Sequence, residues 1–218
     1  MLDMYVETKM PADFVSVEKE ISVIKTDVRY LSGNNFVGRK IRGYEANVCL
    51  LTKAATESLK KAVDVLYPLG LTLKIYDCYR PQTAVNDLIS WSLDPDDNSM
   101  QSAFYPNIKK SDLFKHGYIA EKSSHSRGST VDLTIVAIQE NDYSTKIDFS
   151  KGFDYFDPQS SLSYQYISPQ AKANRLLLNL LMTSVGFKGY DKEWWHFTLC
   201  AEPYPNTYFD FPVNFLDK

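Results

Sequence analysis

Two short runs alternate apolar and polar residues with a period of two, and each delivers ionisable side chains. Leu71, Leu73 and Ile75 alternate with Thr72, Lys74 and Tyr76 and lead into Asp77-Cys78-Tyr79-Arg80-Pro81. Val131, Leu133 and Ile135 alternate with Thr130, Asp132 and Thr134. Successive strand side chains point to opposite faces, so this pattern demands a sheet with one face packed on a core. It sets Asp132 between two threonines on the face opposite the apolar side chains, outside the apolar core.

Helical patterns flank these strands. From Thr52 to Leu66 the positions Leu59, Ala62, Val63 and Leu66 recur at helical spacing, with Thr52 as N-cap and Pro68 and Gly70 as the stop. A second helix opens at Pro81 and runs through Ala84, Val85, Leu88 and Ile89. A third starts at Ser168-Pro169, with Leu176, Leu177, Leu180, Leu181 and Val185 as the expected buried stripe and Gly186 as its end. Residues 94–98 read as a loop, and the irregular stretch from there to Lys122 suits a wall of a binding site. The tail EPYPNTYFDFP holds Pro203, Pro205 and Pro212 and suits an extended segment that wraps the fold. Mixed elements joined more often by short turns than by crossover helices predict an α+β fold, with a central, mainly antiparallel sheet flanked by helices. With 218 residues, 44% of them hydrophobic and 23% charged, one domain over residues 1–218 is expected.

Charge excludes some functions. The net charge is −3, and the 24 Lys and Arg are spread along the chain, so no nucleic-acid partner is expected. MLDMYVETKM lacks a basic segment followed by an apolar one, and no run reaches the ~18 apolar residues of a membrane span. The expectation is a protein without a membrane span in the cytoplasm, or in the periplasm if a signal peptide has been removed. Cys49, Cys78 and Cys200 are odd in number and lack CxxC spacing, which reads as buried or bystander thiols and neither a disulfide framework nor a thiolate zinc site. Aromatic residues make up 14% of the chain, which by itself marks no subunit interface, so the oligomeric state stays open.

The chain has three histidines. His116, in Lys115-His116-Gly117, reads as a solvated loop residue. Taken singly, His125 reads as a loop histidine and His196 as a strand histidine hydrogen-bonded within the fold. Taken with Asp132, they also make a set of the kind that holds zinc in hydrolases, three N or O donors with a fourth position left to water. Glu193 stands among bulky aromatics in Glu193-Trp194-Trp195-His196-Phe197, where a low dielectric raises a carboxylate's pKa and suits it to proton transfer near neutrality. A regular strand would point Glu193 and His196 to opposite faces. For both to reach one centre, the chain must turn or bulge at Trp194-Trp195.

SSHSRGSTVDLT, DCYRP, EWWHF and EPYPNTYFDFP together resemble the motifs of the vancomycin-resistance D-alanyl-D-alanine dipeptidases, whose metal motif reads SxHxxGxxxD followed by ExxH. The similarity runs from about Asp27 to Pro212, leaving an N-terminal extension without a role. It implies one zinc ion per chain, held in a cleft by His125, Asp132 and His196, with Glu193 as general base and acid and Arg80 polarising the scissile carbonyl. Ser123 matches a substrate contact. Tyr30, Tyr44 and Asp154 match residues lining a small pocket, with Asp154 placed to pair with the substrate's ammonium group. Cys78 stands where the family often has glycine. The implied activity is hydrolysis of the small-molecule dipeptide D-Ala-D-Ala to D-alanine, in glycopeptide resistance or recovery of D-alanine from peptidoglycan turnover. Two other readings are a zinc D,D-carboxypeptidase or peptidoglycan endopeptidase acting on longer muropeptides, and a zinc-containing binding protein without catalysis. Glu193 and Arg80 together argue against the last, since structural zinc needs neither.

Overall fold

The computed structural model describes residues 6–139 and 147–216. In chain order the strands are β1 (Val6–Glu7), β2 (Phe14–Ser16), β3 (Lys25–Thr26), β4 (Leu50–Thr52), β5 (Leu71–Asp77), β6 (Thr130–Ala137), β7 (Phe187–Tyr190), β8 (Glu193–Leu199) and β9 (Tyr208–Phe209). The α-helices are α1 (Val17–Glu20), α2 (Lys53–Leu66), α3 (Gln82–Leu93), α4 (Gln101–Phe104) and α5 (Pro169–Ser184).

Five strands form the central sheet in the order β3-β5-β6-β8-β7, antiparallel at every junction except β3-β5. The expected α+β class with a mainly antiparallel sheet is what the chain forms. The two period-two runs become the adjacent strands β5 and β6, and their apolar residues Leu73, Ile75, Val131, Leu133 and Ile135 are buried. Asp132, at the β8 end of this pairing, is opposed by Asp77 on one side and His196 on the other.

α2 starts where its sequence says: the Thr52 hydroxyl accepts from the Ala55 N–H, and Ala55, Leu59, Ala62, Val63 and Leu66 are buried. Gly70, at φ 73°, ends the turn that follows. α3 follows directly on Pro81 and buries Ala84, Val85 and Leu88.

α5 begins at the Ser168-Pro169 cap, but its buried face is not the expected leucine stripe. Leu176, Leu177 and Leu180 are 56%, 49% and 57% exposed, while Ala171, Arg175, Leu178, Leu181 and Met182 are buried. The cause lies in Arg175. Its guanidinium donates to the carbonyls of Phe149, Gln159 and Ser161 at 2.7–3.0 Å, which satisfies a buried charge and turns that side of the helix inward.

The first and last described segments are stitched into the domain. β1 pairs in parallel with β9, and Tyr44 bridges to Val213. The tail turns at Pro205-Asn206 and runs extended only from there, burying Phe209, Phe211 and Val213. Phe14 packs edge-on against Tyr79, Phe209 and Phe211, and the Tyr79 hydroxyl both accepts from the Phe211 N–H and donates to its carbonyl. Among the described residues, no helix is long and apolar enough to cross a membrane.

Cys49 and Cys78 form a disulfide, whereas Cys200 is free. This corrects the reading of all three as thiols. An odd count excludes full pairing but not one bridge, and pairing depends on two segments being packed side by side.

The loop joining Tyr30 to Tyr44 is fastened from α3. The buried Asp87 carboxylate accepts from both terminal nitrogens of Arg39 at 2.7 and 3.2 Å and from the Arg42 N–H and Nε at 3.0 and 3.1 Å. Burial opposes its charge, but these bonds and the two guanidinium charges outweigh it and hold its pKa below the ordinary value. With the folded value below the unfolded value of about 3.9, this stabilisation is complete above that pH and is lost as pH falls through the folded value. Asp87→Asn is expected to cost roughly 1–3 kcal/mol at pH 7 in urea unfolding, with the gap to wild type narrowing below about pH 4. Equal stability at pH 7 would show that the clamp contributes nothing.

Candidate metal centre and active site

His125 sits in a 3-10 turn, Ser124–Arg127, that ends at Gly128. Gly128 has φ 79°, and a Cβ there would run into the ring of Phe14. Only glycine lets the backbone turn this tightly against the aromatic cluster and enter β6. Four residues on, Asp132 projects from β6 toward its cross-strand partner His196 on β8.

The three donor side chains converge: one ligand atom from each of His125, Asp132 and His196 lies within 4.8 Å of the others. Asp132 Oδ1 is 3.0 Å from His196 Nδ1, and its Oδ2 is 3.3 Å from His125 Nε2. His125 Nδ1 lies 2.7 Å from the Cys78 carbonyl oxygen. A carbonyl only accepts, so Nδ1 carries the proton and Nε2 turns its lone pair to the centre. His196 presents Nδ1 to the same point, with its Nε2 3.3 Å from Ser124 Oγ. Two imidazole nitrogens and one carboxylate oxygen match a catalytic zinc set with an open position.

Glu193 and His196 reach one centre because β8 is irregular where the sequence requires it. Against β7, Gly189 pairs with Phe197 and the next residue, Tyr190, pairs with Glu193. Trp194 and Trp195 are consecutive and both buried, which breaks the alternation. Trp194 stacks on Phe149 and donates to the Lys151 carbonyl, while Trp195 meets Phe153 edge-on. Glu193 Oε2 lies 3.7 Å from His196 Nδ1. Burial pushes the Glu193 carboxyl up to about 7.

Arg80, at the end of the DCYRP segment, extends along the same cavity. Its Nε and Nη2 donate to Asp77 at 2.9 and 2.7 Å, and its guanidinium lies over the Tyr30 ring. Tyr30 donates in turn to Asp154 at 2.9 Å. Asp154 is 3% exposed with φ 59°, a left-handed conformation that aspartate tolerates. Burial first, then the charges of Asp132 and Glu193, push its pKa well above the ordinary range. For Asp132 burial acts the same way, but His125 and His196 outweigh it and hold its pKa far below.

A cavity of about 300 Å³ joins these groups. Tyr30, Arg80, Ser123, His125, Asp132, Asp154, Glu193 and His196 line it, as do Tyr118, Ile119 and Lys122 from the irregular stretch read as a wall. Tyr44 does not line it. Its buried hydroxyl donates to Asp77 at 2.7 Å, one layer behind Arg80. His116 is exposed, as expected of a loop residue. Asp77, not among the candidate site residues of the sequence, is fully buried and accepts from both Tyr44 and Arg80. Its signal was available as a carboxylate three residues before an arginine at a strand end.

The family model described as D-ala-D-ala dipeptidase, Peptidase M15, matches residues 10–214. The chain belongs to this family. It is 38% identical over 205 residues to the D-alanyl-D-alanine dipeptidase of Enterococcus faecium, covering 94% of this chain and 100% of that protein. The D-alanyl-D-alanine dipeptidase of Streptomyces coelicolor is 39% identical over 204 residues, with the same shares covered. That of Escherichia coli K12 is 33% identical over 183 residues, or 84% of this chain and 82% of that protein. The family match begins at residue 10, ahead of the first motif near Asp27, and so takes in β2, α1 and β3.

Gly128→Ala is expected to destabilise this family member by at least about 2 kcal/mol, through the left-handed conformation and the collision with Phe14. Thermal unfolding would read it, and an unchanged melting temperature would show that the turn relaxes freely.

Proposed function

We propose that this protein hydrolyses D-alanyl-D-alanine to two molecules of D-alanine, with one zinc ion per chain at His125, Asp132 and His196. The observation that carries this is the shared cavity: the three-donor set, a raised carboxyl at Glu193, an arginine and a buried acid at Asp154 all face one small volume.

Zinc bound at this set would bring the pKa of a water toward ~7 and polarise a peptide carbonyl. Glu193 takes the proton of the attacking water and returns it to the leaving amine, a cycle suited to a carboxyl pushed up to about 7. Arg80 pairs with the oxygen of the scissile carbonyl as it becomes an oxyanion, and Asp77 holds the guanidinium in place from behind. Asp154 pairs with the substrate's free ammonium. That contact rejects longer peptides, because an internal peptide group would leave the buried carboxylate without a cation. Ser123, Ser124 and Lys122 supply hydroxyls and a positive charge suited to the substrate carboxylate. The Cys49–Cys78 disulfide favours an oxidising compartment over the cytoplasm expected from the sequence.

Glu193→Gln is expected to lower turnover by ~10²–10⁴ while keeping zinc content, and Arg80→Ala to lower it by ~10²–10³. Near-wild-type turnover of the Glu193 variant would remove it from the mechanism. Release of D-alanine from D-Ala-D-Ala is expected to stop on chelation and return with zinc, and a D-Ala-terminated pentapeptide is expected to stay intact. Cleavage of the pentapeptide instead would make the protein a wall carboxypeptidase.

A further inference from the structure

The carbonyl that orients His125 belongs to a short, weakly paired piece of backbone. β5 leaves its pairing with β6 at Asp77, after a register shift between Ile75 and Asp77. Beyond it, the Tyr79 N–H donates to the Leu50 carbonyl at 3.0 Å and the Arg80 N–H reaches the His125 carbonyl at 3.4 Å. This piece nevertheless carries two demands of the site: the Cys78 carbonyl, 2.7 Å from His125 Nδ1, and the arginine at position 80.

Cys78 is bonded to Cys49, the neighbour of Leu50. Cys49 is itself fixed from both sides: its N–H donates to Glu18 Oε1 at 2.7 Å, and its carbonyl accepts from the Val17 N–H at 2.9 Å. The covalent bond therefore runs from an anchored residue just ahead of β4 to the residue whose carbonyl sets the tautomer and ring orientation of His125. Both cysteines are buried, at 0% and 3% exposure, so the bridge is a standing brace and not a fast surface switch.

We propose that the Cys49–Cys78 disulfide is a positioning element of the metal centre: it holds the Cys78 carbonyl on His125 and the Arg80 backbone beside it, so that full metal affinity and turnover require the oxidised protein. This rests on the zinc reading of His125, Asp132 and His196. The chemistry of opening it is simple. A water-soluble phosphine gives two electrons to the S–S bond, water supplies two protons and its oxygen, and two thiols and the phosphine oxide result.

The test compares oxidised wild type, wild type refolded with the phosphine, and a Cys49→Ala/Cys78→Ala double variant. Thiols are counted in denaturant, folding is checked by circular dichroism, and zinc affinity is read by competition with a chromophoric chelator, alongside kcat and KM for D-Ala-D-Ala. Reduced wild type and the double variant are expected to bind zinc about 10–100-fold more weakly, with kcat falling and KM little changed. Reoxidation is expected to restore the wild type, and the double variant to ignore the phosphine. Zinc affinity and kcat within twofold of the oxidised protein, with only the melting temperature lowered, would reduce the bridge to a structural staple and overturn the proposal. Three reactive thiols in unreduced protein would overturn it as well. If oxidised wild type binds zinc but leaves the dipeptide intact, the dipeptidase reading fails, and the zinc affinities alone still decide the role of the disulfide.

Discussion

The pairing of β6 with β8, which sets Asp132 opposite His196, is the constraint on which the rest of the site depends. Side chains directly opposite on one face of an antiparallel pair lie close enough to share a ligand. A slip of one residue would turn Asp132 into the apolar layer and bring Val131 into the cavity. Every other group is placed relative to that pair. The glycine-ended turn before β6 swings His125 over it, the irregularity in β8 brings Glu193 to the same side, and β5, on the other side of β6, ends in Asp77 with Arg80 just beyond it.

The charges follow from the same geometry. Asp77, Asp132, Asp154 and Glu193 crowd one largely buried region, with the half-buried Arg80 guanidinium set among them. Asp77 is matched by Arg80, and Asp132 by the two imidazoles. Burial nevertheless raises Asp77, Asp154 and Glu193, and the Tyr30 hydroxyl on Asp154 and the histidine 3.7 Å from Glu193 lower those two carboxyls too little to offset it. That excess of acidic groups is the physical basis for the proposed divalent ion at one end and the proposed ammonium group at the other.

Much of this was legible beforehand, for reasons tied to particular residues. Thr52 and Ser168 announce helix starts because a hydroxyl before a helical run satisfies an amide that would otherwise lack a partner. The alternation around Leu73 and Leu133 announces strands, and the odd separation of Glu193 and His196 required the break that β8 shows. The failures share another character. On α5, leucine spacing pointed to the wrong face because burial of Arg175 depends on carbonyls of residues 149, 159 and 161, which no helical period reveals. Tyr44 resembled a pocket residue but lies behind Arg80, because Asp77 draws its hydroxyl away from the cavity. The N-terminal residues carried no motif, yet Phe14 supports the Gly128 turn and β1 closes against the tail.

By itself, then, the sequence determined the kinds of element and the inventory of donors: periods of two and 3.6, caps, breakers, and a few histidines and acids at spacings that zinc chemistry uses. These are properties of neighbouring residues, set by local geometry. Only the tertiary structure decided which cysteines meet, which face of α5 is inside, and which carbonyl holds His125. Each of these joins segments distant along the chain, and whether a buried charge, thiol or imidazole finds its partner depends on what the fold packs beside it.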